Sequence, residues 1–138
     1  MLDWTLLADR LTGTGSAFAL RRGSTFAIAN EAALKFTETC GLHGPAAIVQ
    51  AHFPVLALGV DDAALATAAR LAAQGADEFV TRGEVKGVLT LPSIPGLRPL
   101  VTPLVLATAY CGGISGLARR RGLGPDTPSH LRKITETV

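Results

Sequence analysis

Hydrophobic residues in this chain repeat at two periods, and the switches between them outline the elements. Phe26, Ala29, Ala33, Phe36 and Cys40 return at three- and four-residue steps, which predicts one buried stripe of an α-helix. A short amphipathic helix is predicted over Asp3 to Leu11 and a strand over Ser16 to Leu20, with Gly13 and Gly15 marking the turn between them. The run PVLALGV at 54–60 is apolar throughout, as a strand covered on both faces requires. Asp61 or Asp62 then caps a helix of alanine and leucine that runs to about Gln74, and Gly75 ends it. Two short strands are predicted over Glu78 to Thr81 and Val88 to Leu91. Proline and glycine at 92–99 break the pattern before a long last helix. Strands alternating with helices predict an α/β sandwich of three layers around a mostly parallel sheet, with ligands bound beyond the carboxyl ends of the strands.

Composition narrows this picture. With 138 residues, 48% of them apolar, the chain suits one domain with room for a core, and disorder is excluded. A formal charge of +2 is too small to argue for nucleic acid. The uncharged stretch from Pro99 to Ala118 has the length of a membrane span. Its prolines, threonines and the Gly112–Gly113 pair dilute it, so a buried helix is expected instead of a membrane segment. The first residues, MLDWTLLADRL, lack a basic leader followed by an apolar core, and a cytoplasmic location is expected. Cys40 and Cys111 each sit in an apolar helical pattern and read as small buried hydrophobes; neither a disulfide nor a metal or cofactor site is suggested.

The candidate chemistry is concentrated in ANEAALKFTETCGLHGP, residues 29–45. Glu31, Lys35 and Glu38 share a second stripe of the same helix, where Lys35 can orient both carboxylates and a carboxylate can serve as a general base. The same spacing also decorates solvated helix faces. The turn RRGST at 21–25 follows the first strand. Its amides at a helix start suit an anion, while Ser24 or Thr25 would equally serve as an ordinary N-cap. Arg119, Arg120 and Arg121 form the one dense basic run and complement the negative pole of a helix end, with a phosphate patch as the other reading.

The runs RRGSTFAIANEAALKFTETCGLH, HGP followed by FPVLALG, and PSHLRKITETV together resemble the second lobe of the sugar isomerase (SIS) domain pair. That lobe is known from the isomerase half of glutamine:fructose-6-phosphate aminotransferases and from aminosugar-phosphate deaminases. The resemblance covers nearly the whole chain. It implies a single SIS domain over residues 1–138, with a flavodoxin-like sheet of about five strands. It also implies a sugar phosphate of the fructose 6-phosphate or glucosamine 6-phosphate class as ligand. On this pattern Glu38 matches the carboxylate that moves a proton between C1 and C2, and Lys35 the lysine beside it. Lys133 matches a lysine that forms a Schiff base, and His43 a histidine assigned to ring opening. Arg22, Ser24, Thr25 and Glu31 are the implied substrate contacts.

Three departures follow from the same comparison. The loop that separates the helix from the HGP turn is missing, so His43 aligns with either of two family histidines. The phosphate-gripping first lobe has no counterpart. The turn that reads Gly-Arg-Gly in relatives reads Arg21, Arg22, Gly23 here. The expectation is a shortened phosphosugar-binding domain with turnover lost, the alternative being an isomerase or deaminase whose site is assembled between chains. Either way a homodimer, or pairing with another SIS chain, would cover the face left by the missing lobe.

Overall fold

A computed structural model describes residues 2–20, 25–42, 52–58 and 61–127. In chain order these form α1 (Thr5–Leu11), β1 (Phe18–Leu20), α2 (Phe26–Cys40), β2 (Pro54–Ala57), α3 (Asp62–Ala73), β3 (Asp77–Val80), β4 (Leu89–Thr90) and α4 (Thr102–Arg120). The four strands are all parallel and lie in the order β1-β2-β3-β4. The predicted three-layer α/β class holds, with four strands where the resemblance implied about five; a fifth is not among the described residues.

Strand alternation assigns the faces. Leu56, Leu58 and Phe79 join a core with α1, α2 and α4, whereas Ala57 and Val80 pack against Ala68 of α3 on the opposite face. Every residue of β2 is buried, which explains its unbroken apolar run. The first core is organised by three aromatics. Tyr110 of α4 meets Phe36 edge-on with centroids 5.5 Å apart and Trp4 at 6.4 Å, contacts worth about 0.5–1.5 kcal/mol each beyond their buried area. The polar tips are satisfied too: Tyr110 Oη donates to the Ala32 carbonyl at 2.6 Å, and Trp4 Nε1 to that of Pro92 at 2.9 Å.

The caps follow partly from the sequence. Asp61 Oδ1 accepts the Ala64 amide at 2.7 Å, as expected of an N-cap. Of the two expected caps, Thr25 makes no side-chain cap bond and is fully buried, and Ser24 lies outside the described residues. α2 ends because Gly41 adopts φ 62°, a left-handed conformation that lets its amide donate back to the Phe36 carbonyl.

Two burial expectations are corrected. The buried face of α2 is Ala29, Ala32, Phe36, Thr39 and Cys40, roughly 50° round the helix from the predicted stripe, and Phe26 is 53% exposed. Tyr110 fixes that rotation by bonding Ala32. Cys111 is exposed, because α4 buries Leu106, Tyr110, Ile114 and Leu117 and leaves the opposite side uncovered. No helix among the described residues is long and apolar enough to cross a membrane.

The α1–α4 contact yields a test of opposite signs. A Cβ at Gly113 would lie 3.2 Å from Trp4 Cβ, an atom close to the backbone and fixed by the indole bond to Pro92; a Cβ at Gly116 would meet nothing within 4 Å. Gly116→Ala is therefore expected to stabilise by up to about 1 kcal/mol through helix propensity. Gly113→Ala should lose that gain to overpacking and destabilise by about 1 kcal/mol. Urea midpoints of the two variants check both signs.

Candidate functional site

α2 leaves the carboxyl end of β1, so its start lies where ligands of parallel α/β sheets bind. Tyr110 and Phe36 anchor the inner face of α2, which turns Glu31, Lys35 and Glu38 outward. Lys35 Nζ lies 3.7 Å from Glu31 Oε1, with the side chains 39% and 54% exposed, so the pair is worth only a few tenths of a kcal/mol. Lys35 was expected to hold both carboxylates. It pairs with Glu31, and the half-buried Glu38 has no ion pair among the described residues. Glu38 thus lies one turn from the Lys35 cation without pairing with it.

Thr25 closes the foot of the helix. Thirteen positions separate it from Glu38, roughly 20 Å at the rise of an α-helix, and an open-chain hexose phosphate falls short of that span. One sugar phosphate therefore does not touch both residues of one chain. Arg22, Ser24, His43 and Lys133 lie outside the described residues.

Cys40 is not a nucleophile: it is buried with Sγ 3.8 Å from the Ile114 carbonyl, and burial pushes its thiol up to about 11. Among the described residues no group of three or more His, Cys, Asp or Glu could hold a metal ion. Two polar groups were missed in the sequence. Glu78 in β3 is 1% exposed, neither carboxylate oxygen has a hydrogen-bond partner among the described residues, and burial pushes its pKa up to about 7. The buried hydroxyl of Thr81, just beyond β3, likewise has no partner there. A strand covered on both faces has no polar side, and that rule applied to DEFVT would have found both.

An all-parallel sheet between helical layers, with an acid–base helix directly after its first strand, defines an α/β domain built like one lobe of a phosphosugar isomerase. No family model matches the chain. Over 151 residues and 96% of its length it is 31% identical to the isomerizing glutamine–fructose-6-phosphate aminotransferase of Pyrobaculum aerophilum. Among solved structures it superimposes on a protein from Silicibacter pomeroyi assigned as a phosphosugar isomerase, with TM-score 0.76, 34% identity and 91% of this chain covered. It also shares the fold of the C-terminal domain of glucosamine-fructose-6-phosphate aminotransferase from Francisella tularensis, with TM-score 0.71, 20% identity and 86% covered. The chain belongs to the sugar isomerase (SIS) domain family. It spans 25% of the length of the curated relative and 43% and 39% of the two solved chains. The matched stretch of 151 residues exceeds the 138 of this chain, so the relative carries residues with no counterpart here.

Proposed function

We propose that this chain is a phosphosugar-binding SIS domain whose ligand is of the fructose 6-phosphate or glucosamine 6-phosphate class and which has lost turnover. The observation that carries this reading is the 34% identity and TM-score of 0.76, over 91% of the chain, to a protein assigned as a phosphosugar isomerase. The residues that the curated relative carries inside the matched stretch, and that have no counterpart here, favour binding without turnover. A cytoplasmic setting, where such sugar phosphates are metabolised, goes with the same reading.

A second reading, an isomerase or deaminase completed by a partner chain, is favoured by Glu38, a carboxylate without an ion pair among the described residues and beside Lys35. There Glu38 would be the base, Lys35 and Lys133 the electrostatic or covalent helpers and His43 the ring-opening acid. Arg22, Ser24 and Glu31 would meet the substrate from a neighbouring copy, with the buried Thr25 holding the start of α2 behind them. Leu100 and Leu104, 83% and 67% exposed, supply apolar surface for a homodimer or for pairing with another SIS chain.

Thermal unfolding with millimolar fructose 6-phosphate or glucosamine 6-phosphate tests the binding claim. At a hundred times its dissociation constant a ligand adds about 2.7 kcal/mol, a rise of several degrees that inorganic phosphate should not reproduce. No shift in a folded protein would reject it. Glu38→Gln then separates the readings: if the chain only binds, the shift persists and no isomerase activity is found in either protein. If it is an enzyme, the parent turns over and the variant does not.

A further inference from the structure

Seven large hydrophobic residues are exposed among the described ones, and four of them, Ile94, Leu100, Val101 and Leu104, crowd around the start of α4. The exposed stripe continues along the helix through Thr108, Cys111 and Gly112. No charged residue occurs from Pro99 to Ala118, so the whole face stays neutral. Single exposed apolar side chains are ordinary, but a contiguous patch without charge marks an interface.

The relief of this face decides what fits it. Leu104 protrudes with 67% of its surface exposed, and Leu100, one turn earlier, with 83%. Beside Leu104 lies a recess of about 210 Å³ lined by Leu2, Ile94, Val105, Thr108 and Ala109. It holds several times a water molecule's share of about 30 Å³, which suits the four carbons of a leucine side chain. The recess makes no polar demand: the Thr108 hydroxyl already donates to the Leu104 carbonyl at 3.0 Å, and no lining residue is charged. A polar or charged occupant would give up its water there without compensation.

Protrusion and recess stand within one helical turn of each other, Thr108 on the stripe of Leu104 and Val105 and Ala109 on the next. That is the relief an isologous contact needs, because a two-fold axis passing between them seats the Leu104 of each copy in the recess of the other. Charge points to the same occupant. The partner must bring a neutral apolar surface, and this face is one. A lipid surface is met by lysines and arginines around an apolar helix face, and residues 99–118 offer none.

We propose that two copies of this chain pair through the outer face of α4, with Leu104 of each seated against Val105, Thr108 and Ala109 of the other. The inference rests on the pairing of chains in the proposed function and commits it to one partner, one surface and one register. A single helix face with the turn beside it offers fewer than the roughly 20–30 residues a side of a standard interface. The dimer is therefore weak, dissociating at about 10–100 µM.

Sedimentation equilibrium of the full chain, up to about 500 µM, should show the parent passing from monomer to dimer. Leu104→Glu charges the protrusion and Thr108→Lys the recess. Both positions are exposed, so both variants should fold, and each alone should weaken pairing at least about thirtyfold. Mixed together they should pair, since the mixed dimer keeps one native contact and gains one ion pair at the other. Leu34→Glu, at an exposed leucine of α2, should leave pairing unchanged. A parent that stays monomeric overturns both this interface and the pairing it rests on; if anionic vesicles retain that monomer and not Leu104→Glu, the face belongs to a lipid surface instead. A dimer that survives both substitutions, or variants that fail to pair when mixed, overturns the α4 face alone. None of these results bears on the thermal shift expected with sugar phosphates.

Discussion

Arg121→Met is expected to destabilise the protein by about 3 kcal/mol or more, lowering the melting temperature by roughly 10 °C. Its guanidinium joins three helix ends. Nε donates to the carbonyl of Cys40 at 2.8 Å, the last residue of α2, and Nη1 to those of Thr12 at 3.0 Å and Thr14 at 2.6 Å, with a longer bond of 3.4 Å to Leu11, the last residue of α1. Arg121 itself caps α4. The carbonyls at the ends of α1 and α2 lack partners within their own helices, and the negative poles of both helices converge there, so one cation serves both. Without it the Cys40 carbonyl, in a fully buried residue, loses its charged donor. Hydrogen bonds to charged groups are worth about 1.5–3 kcal/mol each and do not add fully, which sets the figure given. Lysine keeps the charge but not the fork, so Arg121→Lys should recover less than half of the loss. A methionine variant within 1 kcal/mol of the parent in urea unfolding would refute this role.

The second large effect concerns Glu78, and it depends on pH. Its carboxyl lies opposite Val55 in the sheet, on the face where Val80, Ala57 and Ala68 pack, and burial raises its pKa from 4.5 to about 7. Between those values the unfolded chain has released the proton while the folded chain still holds it. Stability therefore falls as pH rises through that window, by about 3 kcal/mol from this group. Glu78→Met, similar in size and apolar, should abolish this component: the variant gains about 3 kcal/mol over the parent at pH 8 and much less at pH 4.5. Urea unfolding of both proteins across that range measures the difference. Parallel curves would mean that Glu78 finds a partner in solution.

Features that depend on neighbours in sequence were legible, and features that depend on assembly were not. Asp61 was readable as a cap because the bond it makes spans three residues, and the Glu31–Lys35 pair because one helical turn joins them. β2 announced its double burial by having no polar position. α4 misled because it is apolar all round: Leu104 and Cys111 look no different from Leu106 and Tyr110 until α1 and α2 choose a side. Phe26 outweighed Ala32 in the predicted stripe of α2, and only the Tyr110 bond reverses that order. The task of Arg121 could not be read locally, since its acceptors lie 81 to 110 positions away. The recess beside Leu104 exists only once Leu2, Ile94 and α4 meet.

That reach also dictates the order of events during synthesis. Trp4 finds its acceptor 88 residues downstream, at Pro92, and α1 packs on a helix that begins at Thr102. At translation rates of about 5–20 residues per second, the first helix leaves the ribosome roughly 5–20 s before its docking surface has been made. Seven residues do not hold a helix alone in water for that time. A nascent chain stalled before Thr102 therefore offers Trp4, Leu7 and Leu11 to chaperones as open apolar sequence, and native structure on that side of the sheet forms only after α4 emerges.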